Sequence, residues 1–146
     1  MRQIRTRPVD VLLVDDTDDD VVLTRAVLAG TERLRLLHVA PGGPQALEYL
    51  RRQGRHAEAP RPDLVLADVN MPGMSGFELL EAIKRDPELQ TLPVVILTVS
   101  MSEDDVARAY RSGAASFVRK PVSFDEFERI MRQFEEYWLE VASLPR

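Results

Sequence analysis

The sequence predicts an α/β fold in which a doubly wound sheet of five parallel strands is built from repeated strand–helix units. Short aliphatic runs alternate with longer amphipathic stretches along the chain, which is the pattern of such units. Several of the short runs are apolar at consecutive positions, as expected for parallel strands buried on both faces. No internal repeat or low-complexity tract interrupts this alternation.

The predicted strands are short aliphatic runs bounded by polar or turn residues. The first, third and fourth runs are almost continuously apolar, so we place them at the centre of the sheet. In chain order, the predicted strands are residues 11–14, 34–39, 64–67, 94–97 and 116–118.

One amphipathic stretch follows each strand and predicts a helix. Three of the helices are preceded by serines that can accept hydrogen bonds from free N–H groups of the first turn, namely Ser75, Ser102 and Ser123. Three are followed by glycines, which tolerate the positive φ common at helix C-termini, namely Gly30, Gly54 and Gly113. The predicted helices are residues 19–29, 43–53, 75–85, 103–112 and 123–141.

The composition is that of one folded domain. The chain has 146 residues, of which 45% are hydrophobic and 29% charged, so we expect residues 1–146 to form a single domain. The net charge of −5 argues against direct nucleic-acid binding, which needs a concentrated basic surface. The chain has no cysteine, no visible signal peptide and no apolar run of membrane-spanning length. We therefore expect a cytoplasmic protein that contacts neither membranes nor nucleic acid.

The residues immediately after the predicted strands are the candidate site, because ligands of doubly wound sheets bind beyond the carboxyl ends of the strands. Five of these residues carry functional groups, namely Asp15, Asp16, Asp68, Thr98 and Lys120. Three carboxylates, a hydroxyl and an ammonium at one edge suit phosphoryl transfer, with a carboxylate as the nucleophile. The carboxylate needs no general base, since it is already ionised near neutral pH.

Residues 15–20, DDTDDD, place five carboxylates in six positions. A hard divalent cation with oxygen ligands would reduce the repulsion among them. Asp15 and Asp16 directly follow a buried strand, so we expect them to face the cleft. The aspartates at 18–20 are attributed only to the first turn of the next helix, which acidic residues stabilise by about 0.3–1 kcal/mol each.

Four segments together resemble the receiver domains of bacterial two-component response regulators. They are VLLVDD (11–16), LVLADVNMPGMSG (64–76), VVILT (94–98) and FVRKP (117–121), in the family's order and at its spacing. The resemblance covers essentially the whole chain. It implies a (βα)5 flavodoxin-like fold with the strand order 2-1-3-4-5, in a single receiver domain with no output domain.

The resemblance implies that Asp68 accepts a phosphoryl group from the phosphohistidine of a sensor histidine kinase and becomes an acyl phosphate. The implied cofactor is Mg²⁺, bound by the side chains of Asp16 and Asp68, by the backbone carbonyl of Asn70 and, through water, by Asp15. Lys120 would pair with the phosphoryl oxygens. The implied protein is not an enzyme for separate substrates and catalyses only its own phosphorylation and dephosphorylation.

The same resemblance implies a conformational switch. Thr98 would move to hydrogen-bond a phosphoryl oxygen, and the ring of Phe117 would turn inward as Thr98 moves. These movements would change the surface of the fourth helix, fifth strand and fifth helix. Val99 stands where the family usually has a smaller residue, so we expect it to narrow access to the phosphorylation site. The bond between Lys120 and Pro121 is expected to be cis, as in the family.

Two further segments, residues 81–100 and 134–145, resemble stand-alone receivers that work with bacterial phytochrome histidine kinases. A phytochrome kinase is therefore the expected partner. The last predicted helix also carries a heptad-like apolar stripe, made of Phe127, Met131, Phe134, Trp138 and Val141. We expect its first three residues to pack on the sheet. Trp138 and Val141 are predicted to contact a second subunit, in a homodimer through the fourth helix, fifth strand and fifth helix.

Two other functions are compatible with parts of this pattern. A receiver-like binding module would keep the fold and act without phosphorylation. A Mg²⁺-dependent phosphatase that forms an aspartyl phosphate, similar to haloacid dehalogenases, would need a second Asp two residues after Asp68 as its general acid. Asn70 occupies that position. Turnover of a small phosphate ester distinguishes the phosphatase from the two signalling functions.

Overall fold

Five parallel strands form one sheet in the order β2-β1-β3-β4-β5 in the computed structural model, which describes residues 8–31, 33–99, 102–120 and 123–137. The strands are β1 (Val9–Val14), β2 (Leu34–Ala40), β3 (Leu64–Asp68), β4 (Val94–Thr98) and β5 (Ser116–Arg119). All neighbouring strands pair in parallel. The predicted fold class and strand order are confirmed.

Five helices connect the strands. They are α1 (Asp18–Ala29), α2 (Gly43–Leu50), α3 (Gly76–Arg85), α4 (Glu103–Arg111) and α5 (Phe124–Glu136). Helices α1 and α5 pack on one face of the sheet, and α2, α3 and α4 pack on the other. Successive strand residues alternate between the two cores, so that Leu12 faces α2 and α3 while Leu13 faces α1 and α5. None of the described helices is both long and apolar enough to cross a bilayer.

Helix α5 buries the first part of its apolar stripe against the sheet. Phe127 and Met131 are at most 1% exposed, and Phe134 is also buried, as the stripe predicts. Trp138 and Val141 lie outside the described residues, and so does Pro121 of the bond that was expected to be cis. The predictions made for these three residues therefore stay predictions.

The N-termini of α3, α4 and α5 begin where the serines predict. The hydroxyl oxygen of each serine accepts a hydrogen bond from the backbone N–H three residues later, at 3.2 Å in all three helices. Glu78 also accepts from the N–H of Ser75, which completes a reciprocal pair of hydrogen bonds at the start of α3. Such caps satisfy N–H groups that the helix itself leaves free.

The C-termini of the helices agree less well with the positions that the glycines predict. Gly113 has the expected positive φ of 98° after α4, but Gly30 has a φ of −83° and ends α1 in ordinary helical geometry. Helix α2 ends at Leu50, earlier than predicted, because Arg52 takes the left-handed conformation with a φ of 53°. Gly54, with a φ of 56°, then begins a short 3-10 turn over Gly54–His56.

Candidate functional site

The carboxyl ends of four strands bring the predicted site residues together. Asp15 directly follows β1, Asp68 and Thr98 are the last residues of β3 and β4, and Lys120 directly follows β5. The backbone N–H of Lys120 donates to the carbonyl oxygen of Thr98 at 2.6 Å, which aligns the last two strand ends. All four residues are at most 8% exposed. The parallel topology thus buries polar groups from distant parts of the chain in one cluster.

Asp15, Asp16 and Asp68 form an acidic cluster, in which one carboxylate oxygen of each residue lies within 4.8 Å of the others. Asp15 and Asp68 are buried, whereas Asp16 is exposed. Three carboxylates at this separation repel one another, and their oxygen atoms are the donors that hard divalent cations prefer. The donor set therefore fits a divalent metal ion.

Both carboxylate oxygens of Asp15 already accept hydrogen bonds within the protein. Oδ1 accepts from the backbone N–H of Thr17 at 2.9 Å, and Oδ2 accepts from the Nζ of Lys120 at 2.7 Å. These bonds hold the side chain in one orientation. An oxygen engaged in this way suits contact with a metal through water, which is the role expected for Asp15.

Lys120 extends its ammonium group across the ends of the strands into the acidic cluster. Its Nζ lies 2.7 Å from Oδ2 of Asp15, 2.7 Å from Oδ2 of Asp20 and 3.8 Å from Oδ2 of Asp68. Burial alone would lower the pKa of Lys120, but the hydrogen bonds to Asp15 and Asp20 and the charges of Asp15 and Asp68 raise it above its ordinary value. The group is therefore a permanent cation inside the site.

Asp68 is the second buried carboxylate of the acidic cluster. Burial raises its pKa, and the charge of Asp15 acts in the same direction, whereas Lys120 and the backbone N–H groups of Asn70 and Val69 lower it. The net shift is upward. A cation bound beside Asp68 would favour the ionised, nucleophilic form.

The backbone around Asp68 requires glycine at position 76. A Cβ atom at Gly76 would overlap the carbonyl oxygen of Asp68 and lie 3.0 Å from the Cα of Val69. The N–H of Gly76 donates to the carbonyl oxygen of Val69 at 3.0 Å, so the start of α3 is held against the end of β3. This close approach explains the second glycine, Gly76, of the LVLADVNMPGMSG segment.

The predicted switch residues are both buried, Thr98 at the end of β4 and Phe117 within β5. Thr98 is fully buried, and Phe117 is 8% exposed and packs in the core between the sheet and α2, α3 and α4. The Phe117 side chain is therefore buried in this structure, and its expected movement with Thr98 stays a prediction. Val99 follows Thr98 with its side chain 65% exposed, so it packs little against the protein. Its expected effect on access to Asp68 stays a prediction.

Residues 11–132 match the family model of the response regulator receiver domain. The chain belongs to the response regulator receiver family. The match extends from β1 into α5, so it includes every candidate site residue of this receiver. The family expected from the four sequence segments is confirmed.

Receivers of phytochrome systems are among the most similar proteins. The chain is 35% identical to response regulator Rcp1 of Synechocystis over 138 residues, which cover 94% of each chain. The crystal structure of the phosphorylated cyanobacterial phytochrome response regulator RcpA has a TM-score of 0.87 at 35% identity and covers 95% of this receiver and 99% of that chain. The bacteriophytochrome response regulator AtBRR has a TM-score of 0.70 at 32% identity, with 94% and 99% covered. The predicted similarity to phytochrome response regulators is confirmed.

A metal-bound relative is also similar in structure. The Mn²⁺-bound form of Rcp1 has a TM-score of 0.82 at 34% identity and covers 95% of this receiver and all of that chain. The acidic cluster of the present receiver has the same kind of donors that Mn²⁺ and Mg²⁺ accept. The oxygen donors of the acidic cluster are therefore compatible with a divalent metal ion.

Asp20 is a site residue that the sequence did not reveal. The aspartates at 18–20 do form the acidic first turn of α1. However, Asp20 also accepts a hydrogen bond from Lys120 Nζ at 2.7 Å, so the assignment to the helix turn alone is wrong for this residue. Its place in the first turn of α1, four residues after Asp16, was the available sign, but it did not show a contact with Lys120.

Asn70 contributes through its backbone. Its N–H donates to the carboxylate of Asp68, and the residue is exposed just beyond β3. The expected metal contact of its carbonyl oxygen stays a prediction.

Proposed function

We propose that this receiver is a phosphoryl-accepting signalling switch, in which Asp68 receives the phosphoryl group from the phosphohistidine of a sensor histidine kinase. The observation that carries the proposal is the position of the Asp68 carboxylate. It is buried beside Asp15 and Asp16 and lies 3.8 Å from the Lys120 ammonium group. A nucleophile, a metal donor set and a fixed cation are the groups that phosphoryl transfer to a carboxylate requires.

The transfer replaces one bond to phosphorus with another. A carboxylate oxygen of Asp68 forms the new O–P bond while the N–P bond of the phosphohistidine breaks. The bonding electron pair stays with the imidazole nitrogen, which takes up a proton. Lys120 is close enough to donate to an equatorial phosphoryl oxygen after a small movement.

The metal in this proposal is Mg²⁺. Asp16 and Asp68 would bind it through carboxylate oxygens, Asn70 through its backbone carbonyl and Asp15 through water. When bound, Mg²⁺ supplies positive charge that offsets the charge of the phosphoryl oxygens and of the acidic cluster. The compact set of oxygen donors supports this choice.

The output of the switch is a changed surface on α4, β5 and α5. Thr98 would donate to a phosphoryl oxygen, and the buried position of Phe117 would then be favoured. A charged hydrogen bond is worth roughly 1.5–3 kcal/mol, which is enough to bias two conformations that differ by a few kcal/mol. The same surface is proposed to form a homodimer.

The proposed kinase partner is a bacterial phytochrome. The support is the similarity to Rcp1, RcpA and AtBRR, together with the fact that RcpA and AtBRR are named as phytochrome response regulators. We expect the receiver to catalyse only its own phosphorylation and dephosphorylation, in the cytoplasm.

Intact-protein mass spectrometry tests the phosphorylation. The receiver is incubated with Mg²⁺ and acetyl phosphate, and the same is done with Asp68→Asn. One phosphoryl adduct on the wild type alone is the expected result. Absence of an adduct with acetyl phosphate and with a phosphorylated kinase, in folded protein, would support the phosphorylation-independent binding module instead. Release of phosphate from a small ester beyond one equivalent would support the phosphatase.

A further inference from the structure

The ammonium group of Lys120 is held between two carboxylates that come from different elements. Asp15 follows β1, and Asp20 lies in the first turn of α1. Each accepts a hydrogen bond from Nζ at 2.7 Å, and the Lys120 side chain is only 5% exposed. Asp68 is 3.8 Å away, beyond hydrogen-bond distance. Lys120 is thus hydrogen-bonded to Asp15 and Asp20 and not to Asp68, the proposed site of phosphorylation.

We infer that Asp20 is a positioning residue that restrains Lys120 and competes with the phosphoryl group for it. This inference rests on the proposed function, since it concerns how Lys120 reaches a phosphoryl group on Asp68. Asp20 is suited to this role because it contacts Lys120 without being a member of the acidic cluster. A metal held by that cluster would offset the charge of Asp15 but leave Asp20 as the remaining anionic partner of the lysine.

The charges determine the direction of the effect. Lys120 has one positive charge, which it shares among Asp15, Asp20 and, at longer range, Asp68. A phosphoryl group adds further negative charge on the side of Asp68. Its oxygens then attract Lys120 away from Asp20, and the Asp20 carboxylate repels them. The ionised side chain at position 20 therefore disfavours the phosphorylated state.

Substitution by asparagine separates this role from a purely structural one. Asp20→Asn keeps the size of the side chain and a hydrogen-bond acceptor but removes the charge. At saturating Mg²⁺ it should bind beryllofluoride, an analogue of the phosphoryl group, about fivefold more tightly than the wild type. Without beryllofluoride it should bind Mg²⁺ more weakly, because the released lysine pairs more closely with Asp15 and Asp68. A damaged site would weaken the binding of both ligands.

Three variants serve as controls. Asp19→Asn removes the same charge from an exposed position in the same helical turn and should change beryllofluoride binding by less than about twofold. Asp20→Glu keeps the charge and should bind beryllofluoride more weakly than Asp20→Asn does. Asp20→Ser is a second neutral variant and should also bind beryllofluoride more tightly than the wild type.

Fluorine NMR of beryllofluoride and calorimetry of Mg²⁺ measure the two affinities. Tighter beryllofluoride binding by both neutral variants of Asp20, with weaker Mg²⁺ binding, would support the inference. Unchanged or weaker beryllofluoride binding by these variants, beside a wild type that binds it, would overturn the inference and leave the proposed function intact. A folded wild type that binds no beryllofluoride at saturating Mg²⁺ would overturn both.

Discussion

At the scale of single residues, one ammonium group lies within 4 Å of three carboxylates. Lys120 contacts Asp15 and Asp20 directly and lies near Asp68, while Asp16 extends the acidic cluster toward solvent. Buried ion pairs of this kind add little to stability in themselves, because removing the charges from water is costly. The excess of negative charge is better explained by a need for metal than by a need for stability.

Replacing Asp16 with Asn should make the metal-free receiver more stable, because it removes one of the three clustered carboxylates. We expect the free energy of unfolding in EDTA to rise by about 0.5–1 kcal/mol. Mg²⁺ should stabilise the wild type in proportion to its binding and should stabilise this variant much less. Urea unfolding with and without Mg²⁺ measures both effects.

Asp19→Asn is the matched control for that experiment, because it removes the same charge from an exposed residue outside the cluster. It should keep the full stabilisation by Mg²⁺. An equal loss of the Mg²⁺ response in both variants would show that general charge, and not the cluster, governs metal binding.

The residues of the site were predictable to different degrees. Asp15, Asp68, Thr98 and Lys120 could be predicted because each stands at the carboxyl end of a recognisable apolar strand. Asp20 could not, since acidic residues are ordinary in the first turn of a helix and its contact depends on a lysine 100 positions away. Local sequence patterns identify the ends of the strands. They do not show which side chains from other elements contact the residues at those ends.

At the scale of elements, strand positions were predicted more accurately than helix ends. The apolar runs define most of each strand because burial on both faces favours apolar residues, although β1 begins at Val9 and includes the buried Asp10. Helix α2 ends at Leu50 because Arg52 takes a left-handed conformation, which is unusual for a residue with a side chain. Nothing in the local sequence signals that the helix ends at Leu50. The nearby Gly54 is the more obvious candidate for the residue that ends it.

Strand β2, helix α2 and the 3-10 turn meet in a small aromatic cluster. The His38 ring stacks on Tyr49 with the ring centroids 4.3 Å apart, and His56 lies edge-on to both rings. The Tyr49 hydroxyl donates to the carbonyl oxygen of Pro60 at 3.1 Å, which attaches the connection before β3 to α2. The packing of this edge of the domain therefore includes the ring of His38.

Burial lowers the pKa of His38 below its ordinary value of 6.5, and the charges of His56 and Arg55 act in the same direction. Since the folded-state pKa is the lower one, the unfolded chain takes up this proton first as the pH falls. The contribution of His38 to stability should be complete above about pH 6.5 and should decrease as the pH falls from there toward the folded-state pKa.

His38→Phe keeps a ring that can stack on Tyr49 but cannot titrate. It should lose less stability than the wild type between about pH 7.5 and about pH 5.5, as measured by urea unfolding at each pH. An identical loss in both proteins would contradict a role for His38, because the other titrating groups are unchanged in the variant.

At the scale of the whole molecule, the face made by α4, β5 and α5 is the one proposed to change and to form a homodimer. A groove between β5 and α5 is lined in large part by apolar side chains, which include Val118, Ile130 and Phe134. Tyr110 on α4 and Tyr137 at the end of α5 are about half exposed, at 53% and 51%. Exposed aromatic groups that line an apolar groove, as Tyr137 does here, are typical of interaction surfaces.

Sedimentation velocity at high protein concentration, with and without beryllofluoride and Mg²⁺, tests the dimer. We expect the wild type to dimerise, and Tyr137→Ser should weaken the dimer because it removes an exposed aromatic ring from this face. Val22→Ser, which removes an exposed apolar residue from α1, should leave the dimer unchanged. A wild type that stays monomeric under both conditions would exclude the proposed homodimer.

The contacts of Lys120 also have a consequence for synthesis on the ribosome. They join residues separated by 105 and 100 positions. Asp15 and Asp20 therefore leave the ribosome long before Lys120, whose positive charge offsets theirs. Contacts between such distant residues form late in folding, because a long loop must first be closed. A nascent chain that ends before Lys120 lacks a completed acceptor site. Under the proposed function, a chain must therefore be translated beyond Lys120 before a kinase can phosphorylate it efficiently, which would keep unfinished copies out of the signalling pool.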